Sequence, residues 1–161
     1  MARVSDSRNP AVAGPTALPP SMRGRVPFLL FRASQASLSL ANQMLAGIGL
    51  CARQAGILTM VTELQPMTQK ALAEALGIDR TTMVALLDDL EDKGYVTRRR
   101  HPRDRRAFLI DPTGSGRTAK AAAVRVLDEQ QRRFLAPLSL AERRQLAGLL
   151  TRLNARLAAE P

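Results

Sequence analysis

Between Thr68 and Gly94 two short helix signals follow one another almost without a gap, and no other stretch narrows the possible folds as much. Thr68 suits an N-cap, because its hydroxyl can accept from an early helical N–H, and Gly77 suits the left-handed residue that ends a helix. Asp79 can cap a second helix, expected from Arg80 to about Lys93, which Gly94 stops. Tyr95, Val96 and Thr97 then favour a strand, Arg98 to Arg106 is charged and contains Pro102, and Ala107 to Ile110 is strand-like again. Strand, charged tip and strand make a hairpin. Two capped helices around a tight glycine turn form a helix-turn-helix, and a hairpin directly after it is a wing, so a winged helix-turn-helix is expected over about Met67 to Asp111.

The flanks predict helices. Val26 to Ala46 places Phe28, Phe31, Leu38 and Leu45 near a 3.6-residue period, with Gly47 and Gly49 ending the helix. Ala52 to Leu64 puts Ile57, Leu58, Val61 and Leu64 on one face, closed by Pro66. Thr113 caps a helix to about Phe134, weakened in its first turn by Gly114 and Gly116, and Pro137 breaks it. Ser139 caps a last helix carrying Leu146, Leu149 or Leu150, Leu153 and Leu157. Aromatic residues make up only 3% of a chain that is 45% hydrophobic, which favours a helical core over a β-sandwich. The fold class expected is mainly α, with a two-stranded β-wing and with N- and C-terminal helices forming a dimerisation domain. The expected layout is a disordered basic tail over 1–25, a first dimerisation helix over 26–50, a DNA-binding lobe over 51–111 and C-terminal dimerisation helices over 112–161.

Charge points to the partner. The chain carries a formal net charge of +10, which concentrates a protein near polyanions, nucleic acid above all. A membrane surface is the rival, but no run of 18 apolar residues exists to span one. One cysteine and one histidine leave no internal disulfide and no ligand set for a dedicated transition-metal site. No metal and no cofactor are expected. The N-terminus has no apolar core followed by a cleavage site, so a cytoplasmic protein is expected.

Within the motif, the second helix opens Asp79-Arg80-Thr81-Thr82. A recognition helix presents its N-terminal side chains to base edges in the major groove, and Arg80, Thr81, Thr82 and Ala85 fit that face. Taken alone, Thr81 and Thr82 would be ordinary cap residues. The neighbouring tip shifts the balance: from Arg98 to Arg106 six arginines (Arg98, Arg99, Arg100, Arg103, Arg105, Arg106) face one acid, Asp104. Such a tip repels itself in isolation and becomes favourable along a phosphate backbone or in a narrow minor groove. Asp104 would then brace an arginine by fixing its guanidinium direction. His101 reads as a further DNA-facing cation or a solvated loop residue.

The run Leu-Ala-Glu-Ala-Leu-Gly-Ile-Asp-Arg-Thr-Thr-Met, then Leu-Asp-Asp-Leu-Glu-Asp-Lys-Gly-Tyr-Val, then Arg-Asp-Arg-Arg-Ala and Thr-Gly-Ser-Gly-Arg, resembles the multiple antibiotic resistance regulator (MarR) family, most closely from Met67 to Arg117. The resemblance implies an obligate homodimer intertwined through its first and last two helices. Arg106 would enter the minor groove with Asp104 orienting it, and Arg80, Thr81 and Thr82 would face the major groove, with Thr68 and Gln69 beside them. It also implies an effector pocket bounded by the first, second and fifth helices, often for phenolic or other small aromatic acids. Phe28, Phe31 and Arg32, with Gln54, Ile57 and Leu58, are the expected lining, although residues at helical spacing are also ordinary core. The expected function is a ligand-responsive, sequence-specific repressor, not an enzyme, acting on a near-palindromic site in double-stranded DNA. An architectural DNA binder without effector control is the alternative.

Two positions depart from the family pattern. Pro112 stands where Leu is common and is expected to shorten the second wing strand, since proline cannot donate to a ladder. Cys51 opens the second helix, where helix terminus and Arg53 favour a thiolate, which makes it a candidate redox residue. A lone cysteine is more commonly a small hydrophobe or weak cap.

Overall fold

The computed structural model describes residues 21–104 and 106–157, with side chains through 155. The tail expected over 1–25 thus lies, for residues 1–20, outside the described residues, as does Arg105. The elements are α1 (Val26–Ala46), α2 (Ala52–Glu63), β1 (Met67–Thr68), α3 (Gln69–Leu76), α4 (Arg80–Asp92), β2 (Val96–Arg100), β3 (Phe108–Pro112), α5 (Gly114–Phe134) and α6 (Leu140–Leu157). The chain forms two compact units, Met1–Gln35 and Ala36–Pro161, so the first half of α1 belongs to one and its second half to the other.

Local chemistry sets the element ends. Gly49, Gly77 and Gly94 have left-handed φ values of 71°, 60° and 68°. Each closes the same double hydrogen bond behind a helix; after α3, for example, Gly77 N–H donates to Glu74 O and Ile78 N–H to Ala73 O. A side chain with a Cβ would be strained at Gly77, and there the chain must reverse within two residues to start α4. Thr68 accepts from Ala71 N–H at 3.1 Å, Asp79 from Thr82 N–H at 2.9 Å and Thr113 from Gly116 N–H at 3.0 Å. Ser139 and Glu142 cap α6 reciprocally.

The core of the larger unit gathers the inward faces of α2, α3, α4 and the sheet. Ile57, Leu58 and Val61 of α2, Leu72 of α3, and Met83, Leu87 and Leu90 of α4 are fully buried against Ile110 of β3. The spacing of Met83, Leu87 and Leu90 is the stripe that turns one side of α4 inward and leaves Arg80, Thr81, Ala85 and Asp88 outward. Toward the C-terminal end of α5, Gln130 donates to Ser37 O and Oγ of α1, both at 3.1 Å, and nearer its start Lys120 pairs with Glu63 of α2 at 2.7 Å.

The wing hairpin gains a third strand. The sheet order is β1-β3-β2, all antiparallel, with Met67 opposite Ile110 and Arg98 also opposite Ile110 from the other side. Pro112 does not shorten β3, which runs through it opposite Val96. The reason is register. Thr113 N–H donates to Tyr95 O, so Tyr95 and Thr113 form a hydrogen-bonded pair and the neighbouring Val96–Pro112 pair does not. The missing proline N–H therefore faces the β1 side, where β1 pairs only as far as Ile110.

Candidate nucleic-acid interface

The helix-turn-helix and the wing converge on one cleft of about 910 Å³. Thr68, Gln69 and Lys70 border it from the start of α3, Arg80 and Val84 from α4, and Asp104, Arg106 and Phe108 from the wing. Arg80, Thr81 and Ala85 are exposed along α4. Thr82 is half-buried and engaged in the cap: hydrogen bonds from its side chain and backbone hold the Asp79 carboxyl below the usual carboxylate range. Thr68 likewise uses its hydroxyl as the cap of α3. Val84, 37% exposed on the outward face of α4, is a residue that sequence reasoning missed. Its spacing from Thr81 and Asp88, three before and four after, was the available signal.

The wing tip is built as a turn. His101 N–H donates to Ala107 O, and His101 Nδ1 accepts from the backbone N–H groups of Arg103 and Asp104 at 3.2 and 3.1 Å. His101 thus shapes the tip through its ring nitrogen. Asp104 Oδ1 accepts from the backbone N–H of Arg106 at 2.9 Å. The brace expected on the Arg106 guanidinium takes this other form: the carboxylate fixes the backbone from which Arg106 projects, and among the described residues no ion pair joins the two side chains.

The arginines of the wing divide into two groups. Arg103 and Arg106 are exposed and, with Arg80, form no ion pair among the described residues. Arg99 pairs with Asp111 across the hairpin at 2.9 Å, and the Arg100 guanidinium lies 5.9 Å from the centre of the Phe108 ring. Arg98 is only 19% exposed and is held by Asp88 at 2.6 Å and Glu91 at 2.5 Å, both on α4. Expected at DNA, Arg98 is instead engaged inside the lobe. Arg105 lies outside the described residues.

The expected effector lining falls on both units. Ile57 and Leu58 are fully buried core, because they sit on the inward stripe of α2. Gln54 is buried too; it accepts from Cys51 N–H at 2.9 Å and donates to Asp89 Oδ2, linking the start of α2 to α4. Lys93 extends that link, bonding Asp89 at 2.6 Å and Gly49 O at 3.0 Å. Lys93 first, and Gln54 after it, hold the Asp89 carboxyl below its ordinary range against the effect of desolvation. Phe28 is half-buried and Phe31 and Arg32 are exposed, all in the Met1–Gln35 unit. Cys51, a half-buried free thiol, is the N-cap residue of α2.

A MarR family model matches residues 50–108. A Thauera aromatica protein described as the transcriptional regulator for the hcr operon is 34% identical over 134 residues, covering 83% of this chain and 81% of its own. The chain belongs to the MarR family. Among solved structures, a Pseudomonas aeruginosa transcriptional regulator superposes with a TM-score of 0.73 at 32% identity, covering 81% of this MarR-family chain and 97% of its own. CouR from Rhodococcus jostii, solved bound to p-coumaroyl-CoA, gives 0.72 at 26% identity, covering 82% and 93%. The family is one of DNA-binding transcription regulators with this winged fold, and the relatives matched are regulators. Among the described residues no helix is long and apolar enough to cross a membrane.

Proposed function

We propose that the chain is a cytoplasmic, homodimeric, ligand-responsive repressor that recognises a near-palindromic operator in double-stranded DNA. The observation that carries this reading is the convergence of Thr68, Gln69 and Arg80 from the helix-turn-helix with Arg106 from the wing on one cleft face. Arg80, Thr81 and Ala85 address base edges in the major groove, where arginine reads guanine and small side chains admit thymine methyls. Arg106 enters the adjacent minor groove from a turn fixed by Asp104, and Arg99, Arg103 and Arg105 follow phosphates.

Dimerisation is supported by apolar surface on α6, where Leu140, Leu149 and Leu153 are 68%, 47% and 51% exposed. A two-fold dimer sets its recognition helices about 34 Å apart, one DNA turn, which makes the operator near-palindromic. The p-coumaroyl-CoA bound to CouR supports a small aromatic acid, free or as a thioester, as effector.

Selection from random duplexes followed by a gel-shift assay tests the reading. The wild-type protein should prefer its selected site over random duplex by about a thousandfold. Arg106→Ala should bind at least about tenfold more weakly while its circular dichroism and dimer mass stay unchanged. Wild-type affinity in that variant would remove the wing from the mechanism, and near-equal binding of all duplexes would favour an architectural DNA binder.

A further inference from the structure

The three-point attachment of Arg98 to α4 bears on how the two DNA-reading elements keep their spacing. β2 is an edge strand. By the register, Thr97 and Asp111 form a hydrogen-bonded pair, so the N–H of Arg98 points away from β3 toward the open edge. Such an edge donor ordinarily faces water or invites a foreign strand. Here Glu91 Oε1 accepts it at 3.1 Å. The other oxygen of Glu91 takes Arg98 Nη1 at 2.5 Å, and Asp88 takes Nη2 at 2.6 Å. Burial works against the charge on this guanidinium, yet the hydrogen bonds and charges of Asp88 and Glu91 outweigh it and raise its pKa.

These contacts have a directional consequence. A planar fork bound to carboxylates one helical turn apart, with its own backbone N–H bound as well, fixes both the position and the roll of β2 on α4. The wing reaches the cleft through β2, and α4 supplies Arg80. We infer that Arg98 is a positioning residue, which locks the wing to the recognition helix so that Arg106 and Arg80 meet DNA at a set separation; this rests on the DNA-binding reading above. Arg98 is then no phosphate ligand, and Asp88 and Glu91, acids close to a DNA-facing surface, are retained to hold it.

The sign of one substitution separates this from simple electrostatics. The double variant Asp88→Asn/Glu91→Gln removes two negative charges per chain beside the polyanion. If Arg98 were a phosphate ligand, that variant would bind DNA more tightly, and Arg98→Gln would lower the salt slope of log K by about one for each phosphate no longer neutralised. If Arg98 positions the wing, the double variant binds about tenfold or more weakly, and Arg98→Gln does the same with the slope nearly unchanged. Both variants are measured on the selected operator, or on random duplex should selection yield no preferred site. Hydrogen exchange on the free protein gives a second readout that needs no DNA. Amides of β2 and β3 should exchange faster in both variants, while those of α2 and α3 keep wild-type rates. Tighter DNA binding by the double variant, or unchanged exchange in the wing, would overturn the assignment. Failure of the DNA-binding reading would appear separately, as no measurable binding of the wild-type protein to any duplex, whereas the exchange readout on the free protein would still report the lock.

Discussion

Gly116 offers a quantitative test of how α5 is joined to the lobe. A Cβ added there would lie 1.9 Å from Tyr95 O and 2.9 Å from Tyr95 C, where ordinary contact begins at 3.4 Å. The obstacle is backbone, so no flexible side chain can swing aside. Tyr95 O is moreover the acceptor for Thr113 N–H at 3.0 Å, and Thr113 Oγ1 both donates to Gly94 O at 2.7 Å and accepts from Gly116 N–H at 3.0 Å. Relieving the clash must separate α5 from the α4–β2 turn and break the cap. Overpacking costs about 1–3 kcal/mol and removal of a cap about 0.5–2 kcal/mol, so Gly116→Ala should destabilise by about 3 kcal/mol. For a chain of this size that lowers Tm by about 6–12 °C. Gly114, two residues earlier, meets nothing within 4 Å and lacks a left-handed φ. Gly114→Ala should therefore gain about 0.4–1 kcal/mol by restricting the unfolded chain. Urea and thermal unfolding by circular dichroism, at one protein concentration, compare the pair. If Gly116→Ala falls within about 0.5 kcal/mol of wild type, or if Gly114→Ala is the more damaging of the two, the proposed packing of α5 on Tyr95 is wrong.

Gln54→Ala should cost about 1–3 kcal/mol in urea unfolding, because it leaves Cys51 N–H without its acceptor and removes the tie from the start of α2 to Asp89. Unchanged stability combined with a lost effector response would return Gln54 to a ligand pocket. Asp79 and Asp89 both titrate below their ordinary value in the fold, so their contribution to stability is complete above the unfolded value of about 3.9 and disappears as pH falls through the lower folded value. Asp79→Asn should consequently flatten the acid limb of the urea midpoint between about pH 5 and 3, and an acid limb as steep as wild type would contradict the capping role.

Signals confined to a few residues were legible in the sequence. Thr68, Asp79, Thr113 and Ser139 were readable as caps, and Gly49, Gly77 and Gly94 as stops, since each acts on partners two to five positions away. The helix-turn-helix and wing follow from them in order. Gly114 and Gly116 look alike in sequence as two weak residues opening a helix, yet only Gly116 meets another backbone, an approach that depends on tertiary placement. Pro112 misled because its ladder cost depends on which way its nitrogen faces, and register sets that direction. Gln54 and Asp89 are joined across 35 positions, beyond any local pattern.

The wing arginines show most clearly where composition stops being informative. As a run, Arg98 to Arg106 argues for a polyanion, and every arginine in it counts equally. In the folded lobe the counter-charges come from elsewhere: Asp88 and Glu91 on α4, and Asp111 on the facing strand. Position along the hairpin then decides the role. Near the base, β2 lies against α4 and the partner strand, so Arg98 and Arg99 find carboxylates and Arg100 finds a ring. At the tip, Arg103 and Arg106 form no ion pair among the described residues, which leaves their charge for the DNA proposed above. A basic wing of this kind needs acids at its base, because a hairpin carrying only like charges would splay from the helix it must be read with. On the positioning role inferred for Arg98, the acids that lower the wing's net attraction for DNA are therefore part of what lets the remaining arginines be aimed at it.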